Sequence, residues 1–175
     1  KVFAQLTEDF PQSTFAAEAH YRLGESHYNA GRFAEAREFF SKAKQHPGGD
    51  AKLREKATHL AAWSQFKQGE AAAAAENFAA QRKEFPEGTL AADAAWMEGI
   101  ALYEAEDYAK ALEALEQARD AKPSTPQLVP LGMLNAGQAA AQLEKWDASV
   151  DWLEAAREQF PDYAGRNQVE YELAW

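Results

Sequence analysis

The chain has 175 residues, 46% of them hydrophobic and 26% charged, with a formal net charge of −10 and no cysteine. That balance belongs to a folded, helix-rich protein rather than a disordered one. The acidic excess disfavours a grip on nucleic acid or anionic lipid, which relies on clustered Lys and Arg. Disulfides and thiolate metal sites are excluded.

No apolar run reaches the roughly 18 residues that a membrane span needs, so direct membrane insertion is not expected. The text opens at Lys1 in mid-pattern without a leader motif, and we expect the chain to be a piece of a longer protein.

From the beginning, Phe3, Leu6 and Phe10 sit at helical spacing before Pro11, the reading of a closing helix from a preceding repeat. Ser13 is a candidate cap for a helix running to about Asn29, ended by a turn at Gly31. A second helix spans about Phe33 to Gln45, stopped by Pro47-Gly48-Gly49. Asp50 caps the next helix, which runs to about Gln68; after Gly69 an alanine-rich helix continues from about Glu70 to Glu84. Alanine has the best helix propensity and Phe78 keeps the apolar phase, so this stretch reads as helix rather than low complexity.

Thr89 is the candidate cap of a helix to about Ala105, and Asp107 caps its partner, which is expected to end near Pro123. Ser124-Thr125-Pro126 opens the following unit, where Pro130 should either delay the helix to about Val129 or kink it. A further helix covers about Asp147 to Gln159, and residues 162–175 read as one amphipathic helix closed by Trp175.

Three columns hold the same register. A small residue recurs at Gly24, Ala62, Gly99, Gly137 and Ala174, with separations of 38, 37, 38 and 37. Another falls at Ala36, Ala74, Ala111 and Ser149, each followed four positions later by Phe40, Phe78, Leu115 or Leu153. Two helices that cross closely need small residues where their backbones meet and a large one beside them to fill the wedge. A lone helix pair buries one face only, so repetition completes the core.

Leu23-Gly24, Tyr28, Gly31, Ala36, Phe40, Ala43 and the closing prolines resemble the tetratricopeptide repeat over essentially the whole chain. Glu98, Ala61, Gln81 and Pro47 depart from the pattern. The resemblance implies an all-α right-handed superhelix of about four helix–turn–helix units at residues 13–49, 50–87, 88–123 and 124–161. Residues 1–12 and 162–175 would be partial units at the ends.

The copies are slightly longer than the common repeat of about 34 residues. The links at Phe10-Pro11-Gln12-Ser13-Thr14 and Phe85-Pro86-Glu87-Gly88-Thr89 resemble those of bacterial envelope repeat proteins, the group of the Tol-Pal-associated periplasmic coordinator and the barrel-assembly lipoprotein. That likeness implies a periplasmic or envelope location. The lack of cysteine agrees with it but is shared by many cytoplasmic proteins.

In the family the first helices line a concave groove. Carried over position by position, the implied partner-facing residues are Tyr21, Glu25, Tyr28 and Asn29; His59, Trp63, Phe66 and Lys67; Trp96, Ile100, Tyr103 and Glu104; then Leu134, Gln138, Ala141 and Gln142. Tyr21, Tyr28, Trp63, Phe66, Trp96 and Tyr103 would form an exposed aromatic ladder, the mark of an interaction site. Structural packing is the competing reading for the three tyrosines, and packing is expected for Trp146 and Trp152.

The lysine–asparagine clamp of repeats that bind chaperone tails is absent: Tyr21, Glu25, Leu60, Asp93 and Met97 stand at its places. His20 and His27 share a helix face without a third ligand at metal-site spacing, and no phosphate loop, nucleophile elbow or zinc-protease motif occurs. The expectation is a non-enzymatic scaffold without metal or cofactor that holds a protein or peptide partner. The alternative is a structural spacer or solenoid that self-associates through its end faces.

Overall fold

A computed structural model describes residues 2–174, which form ten helices and no strand. Lys1 and Trp175, at the ends of the first and last expected helices, lie outside the described residues. The chain divides into two compact units, one up to Leu90 and the other from Ala91.

The first unit contains α1 (Val2–Asp9), α2 (Ala16–Asn29), α3 (Phe33–Gln45), α4 (Ala51–Lys67) and α5 (Ala71–Glu84). Helices α2 and α3 form one hairpin, α4 and α5 another, and α3 packs on α4. The close crossing anticipated at Gly24 is present: a Cβ there would lie 2.6 Å from the Phe40 ring. Phe40, Ala36 and Ala43 are fully buried, as are Ala62, Ala74 and Phe78.

The second unit contains α6 (Ala91–Glu104), α7 (Tyr108–Ala118), α8 (Leu128–Gln142), α9 (Trp146–Gln159) and α10 (Arg166–Leu173). Its hairpins are α6/α7 and α8/α9, with α8 also packed on α6 and α7. The same crossing recurs, since a Cβ on Gly99 would collide with Leu115 and one on Gly137 would approach Leu153 to 2.6 Å.

All four first helices end in the same way. Gly31, Gly69, Glu106 and Glu144 hold positive φ at 73°, 81°, 60° and 58°. After each, the next N–H reaches back five residues: Arg32 to the His27 carbonyl at 2.9 Å, Glu70 to Gln65 at 3.0 Å, Asp107 to Leu102 at 3.0 Å and Lys145 to Ala140 at 2.9 Å. This is the Schellman closure, which satisfies carbonyls the helix end leaves unpaired and asks for a left-handed residue. Glycine meets that demand without strain in the first unit, while glutamates accept it in the second.

The starts and stops correct several expectations. Asp50 and Asp107 do cap, accepting from Leu53 N at 2.7 Å and Lys110 N at 3.4 Å. Ser13 does not cap α2. Its Oγ accepts from Phe15 N within the preceding turn, and the helix begins at Ala16.

Thr89 also does not cap: its N–H and hydroxyl both donate to Glu55. Helix α7 stops at Ala118, well before Pro123, and α10 covers only Arg166–Leu173 because residues 162–165 form turns. Helix α8 starts late, at Leu128, as the delay to about Val129 anticipated, and Pro130 does not break it. The proline is the third residue of the helix, in the first turn, where no intrahelical N–H bond is lost.

Candidate functional site

The expected partner-facing residues separate by position along each first helix. Tyr21 and His59 in the first unit are buried, as are Trp96 and Leu134 in the second. This column is core, and so is Ile100 at 1% exposure. Glu25, Tyr28, Trp63 and Phe66 are half-buried, as are Tyr103, Gln138 and Ala141, whereas Asn29, Lys67, Glu104 and Gln142 are exposed or nearly so. The exposed aromatic ladder is therefore corrected to single half-buried rings rather than a continuous strip.

Trp96 shows why. Its ring occupies the space opposite Gly132 of α8, where a Cβ would collide with it, and its indole N–H donates to the Ala121 carbonyl at 3.0 Å. A buried indole with its one donor satisfied is a packing element. Tyr21 packs against Phe40 at 5.7 Å between ring centroids. Burial, reinforced by neighbouring Glu25, pushes its hydroxyl up to about 12. Tyr28 packs edge-on against Phe33, and Tyr103 packs at a tilt against Tyr108; burial raises the pKa of both Tyr28 and Tyr103.

Trp63 has a different setting. Its indole N–H donates to His59 Nε2 at 3.0 Å, so the proton of the neutral imidazole sits on Nδ1, which lies 3.1 Å from Gln81 Oε1. The ring stands edge-on to Phe66 and Phe78 at 5.8 and 6.3 Å, and Lys67 Nζ lies 5.6 Å from its centroid.

Gln81, fully buried, stands in the column otherwise filled by Ala43, Ala118 and Ala156. His59 stands where the other copies have Tyr21, Trp96 and Leu134. These two departures from the repeat meet each other, and together they fix the orientation of a partly buried tryptophan.

Beside α4, a cleft of about 280 Å³ opens between it and α2, lined by Tyr21, Glu25, Lys52, Leu53 and Lys56 among others. Arg22 is held there between Glu18 at 2.7 Å and Glu25 at 2.8 Å. The arrangement offers carboxylates, ammonium groups and an apolar floor to a segment of chain. Its lining holds no nucleophile–base pair, and among the described residues no group of three or more potential metal ligands comes together.

Two residues that sequence reasoning missed order the links. Glu55, 4% exposed, accepts from Thr89 N and Oγ1 and from Leu90 N at 2.7 Å in the first unit. Asp93, 1% exposed, accepts from Ser124 N at 2.7 Å, Ser124 Oγ and Thr125 N in the second. The two acids stand one repeat period apart, and that was the available signal. Asp93 and Met97, two of the clamp positions, are thus interior.

Among the described residues no third ligand joins His20 and His27: His27 Nδ1 accepts from Arg32, and His20 Nδ1 is buried without a partner. Desolvation, with Lys42 and His46 nearby, lowers the pKa of His20. Trp152 is buried, as expected, under Arg119 at 4.4 Å, but Trp146 at the hairpin is 62% exposed. Among the described residues no helix is long and apolar enough to cross a membrane.

Successive helix hairpins, closed by one turn geometry and packed through small-residue crossings, define a helical-repeat protein. The chain belongs to the tetratricopeptide repeat family: one family model matches residues 59–126 and 97–164, and a second matches 17–46. It is similar in fold to the crystal structure of YrrB, described as a TPR protein with an unusual peptide-binding site. The identity is 19% and the TM-score 0.71, over 92% of this chain and 76% of that one. No curated protein matches the chain.

Proposed function

We propose that the chain is a non-catalytic interaction scaffold that holds a protein segment against the first-helix face of its N-terminal unit. Trp63, Phe66 and Tyr28 would supply apolar contact, and Glu25, Asn29 and Lys67 would form the polar rim. The observation that carries this reading is Trp63: a partly buried indole whose angle is set from below by His59 and Gln81. A rigid aromatic anchor with few rotamers to freeze is what binding hot spots use. The net charge of −10 favours a basic segment through steering.

The test is a peptide selection on immobilised chain followed by anisotropy titration of the best peptide. Trp63→Ala should weaken binding by about 30-fold or more, the loss typical of a hot spot. Equal affinity in the variant removes this face from the mechanism.

We place the parent protein in a bacterial envelope assembly, on the likeness of the Phe–Pro links to envelope repeat proteins; osmotic-shock release of the full-length protein with periplasmic markers tests this, and retention with cytoplasmic markers overturns it. A second reading, association through an end face, draws on Val2, Phe3, Phe10 and Phe15, all exposed. A solution mass that stays monomeric over a concentration series removes it.

A further inference from the structure

A second cavity in the N-terminal unit, about 190 Å³, lies among α3, α4 and α5 and shares no residue with the peptide face proposed above. Arg37, Ser41 and Lys44 line it from one face of α3, with Thr58 and Gln65 from α4 and Asn77 from α5. No carboxylate is among its lining residues, in a chain with ten more acidic charges than basic ones.

Three features give the cavity a chemical preference. Thr58 is 5% exposed, and its Oγ1, sealed from solvent, has no hydrogen-bond partner. A buried hydroxyl left unpaired is costly, and such groups call for an explanation. Among the described residues Lys44 makes no ion pair. Arg37 spends one N–H on Glu70 at 2.6 Å, in a pair in which both side chains are about 40% exposed and which therefore competes weakly with a better-placed anion. The amides are already committed, Asn77 to Gln65 at 2.6 Å and Gln65 to Glu70 at 3.3 Å. What remains unspent is a set of donors: an ammonium, most of a guanidinium and two hydroxyls.

We propose that this cavity is a site for one oxyanion, a phosphate or a carboxylate group, held between Arg37 and Lys44 with the Ser41 hydroxyl donating to it and the Thr58 hydroxyl, sealed in the anion-free chain, rotating into the cavity to donate as well. An oxyanion offers only acceptors, which matches a lining whose free groups are donors. The guanidinium fork supplies direction, and the lysine supplies charge at the other end of the same helix face.

The isotope-labelled chain is titrated with sodium phosphate and, separately, sodium acetate, with sodium chloride holding ionic strength constant and chloride alone as control. Saturable amide shifts should appear at Arg37, Ser41, Lys44, Thr58, Gln65 and Asn77 with phosphate, acetate or both. The arm that saturates at lower concentration identifies the preferred group.

Lys44→Gln and Thr58→Val should each weaken that binding about tenfold, the loss expected for one charge-assisted hydrogen bond. Thr58→Val should leave the melting temperature of the anion-free chain unchanged or raised, because the hydroxyl it removes has no partner. Shifts that never saturate, that spread over the surface, or that persist in both variants would overturn the site.

Discussion

Trp63 and Trp96 stand on the first helices of successive hairpins, one in each compact unit, and they do opposite things. Trp96 is sealed between α6 and α8, its indole bonded to a main-chain carbonyl in space left by Gly132. Trp63, one helical turn further along the repeat, is only partly buried and bonded to a side chain that is itself a departure from the repeat. An aromatic residue on a first helix therefore does not announce a binding surface. What decides is its column and whether the neighbouring helix has left room for it.

The sharpest way to break this comparison is to truncate both rings. Trp96→Ala should cost about 3–5 kcal/mol in urea denaturation, as for large buried aromatics, and leave any peptide affinity of the folded fraction intact. Trp63→Ala should cost less in stability than Trp96→Ala while weakening binding, since its ring is only partly buried. If the two variants lose stability equally, the distinction between packing and presenting rings fails.

Next in size are the acids that order the links. Asp93→Ala and Glu55→Ala should each cost about 1–3 kcal/mol, because the amides and hydroxyls of the links lose their acceptor. Hydrogen exchange should show protection lost at Ser124 and Thr125 for the first variant and at Thr89 and Leu90 for the second.

The buried hydroxyl of Tyr21 gives a pH signature. Its folded pKa, about 12 against an ordinary 10.0, makes the unfolded chain ionise first as pH rises. The contribution to stability is complete below pH 10 and disappears on the way to 12. Urea midpoints at those two pH values should differ less in Tyr21→Phe than in the parent chain.

The smallest expected effect separates the two units by their turns. Glu106→Gly or Glu144→Gly should stabilise by about 0.5–1 kcal/mol by relieving a left-handed non-glycine residue, and Gly31→Ala should destabilise by about the same amount, all read as shifts in melting temperature.

The period, the hairpins and the small-to-large crossings were legible in the sequence, because each follows from local propensity and a fixed column spacing. Asp50 and Asp107 announced their helix starts for the same reason: a cap acts on backbone groups within its own turn. Thr89 and the end of α7 misled because groups from other helices bind there, whereas Ser13 spends its Oγ on the turn before the helix. Glu55 takes the donors of Thr89 from across a whole helix hairpin, and no local rule registers that. The left-handed glutamates at 106 and 144 were also hidden, since only the two glycine copies of the same turn carry a compositional sign.

The sequence by itself determined a helical repeat and its period, because the apolar columns and turn positions that specify them lie within one repeat. The tertiary structure alone decided which groove positions are interior and which can meet a partner. It also showed that His59 and Gln81, two apparent defects in the pattern, form one hydrogen-bonded support under Trp63. Exposure and side-chain pairing depend on what the next helix leaves open, and that is a property of packing rather than of any one column.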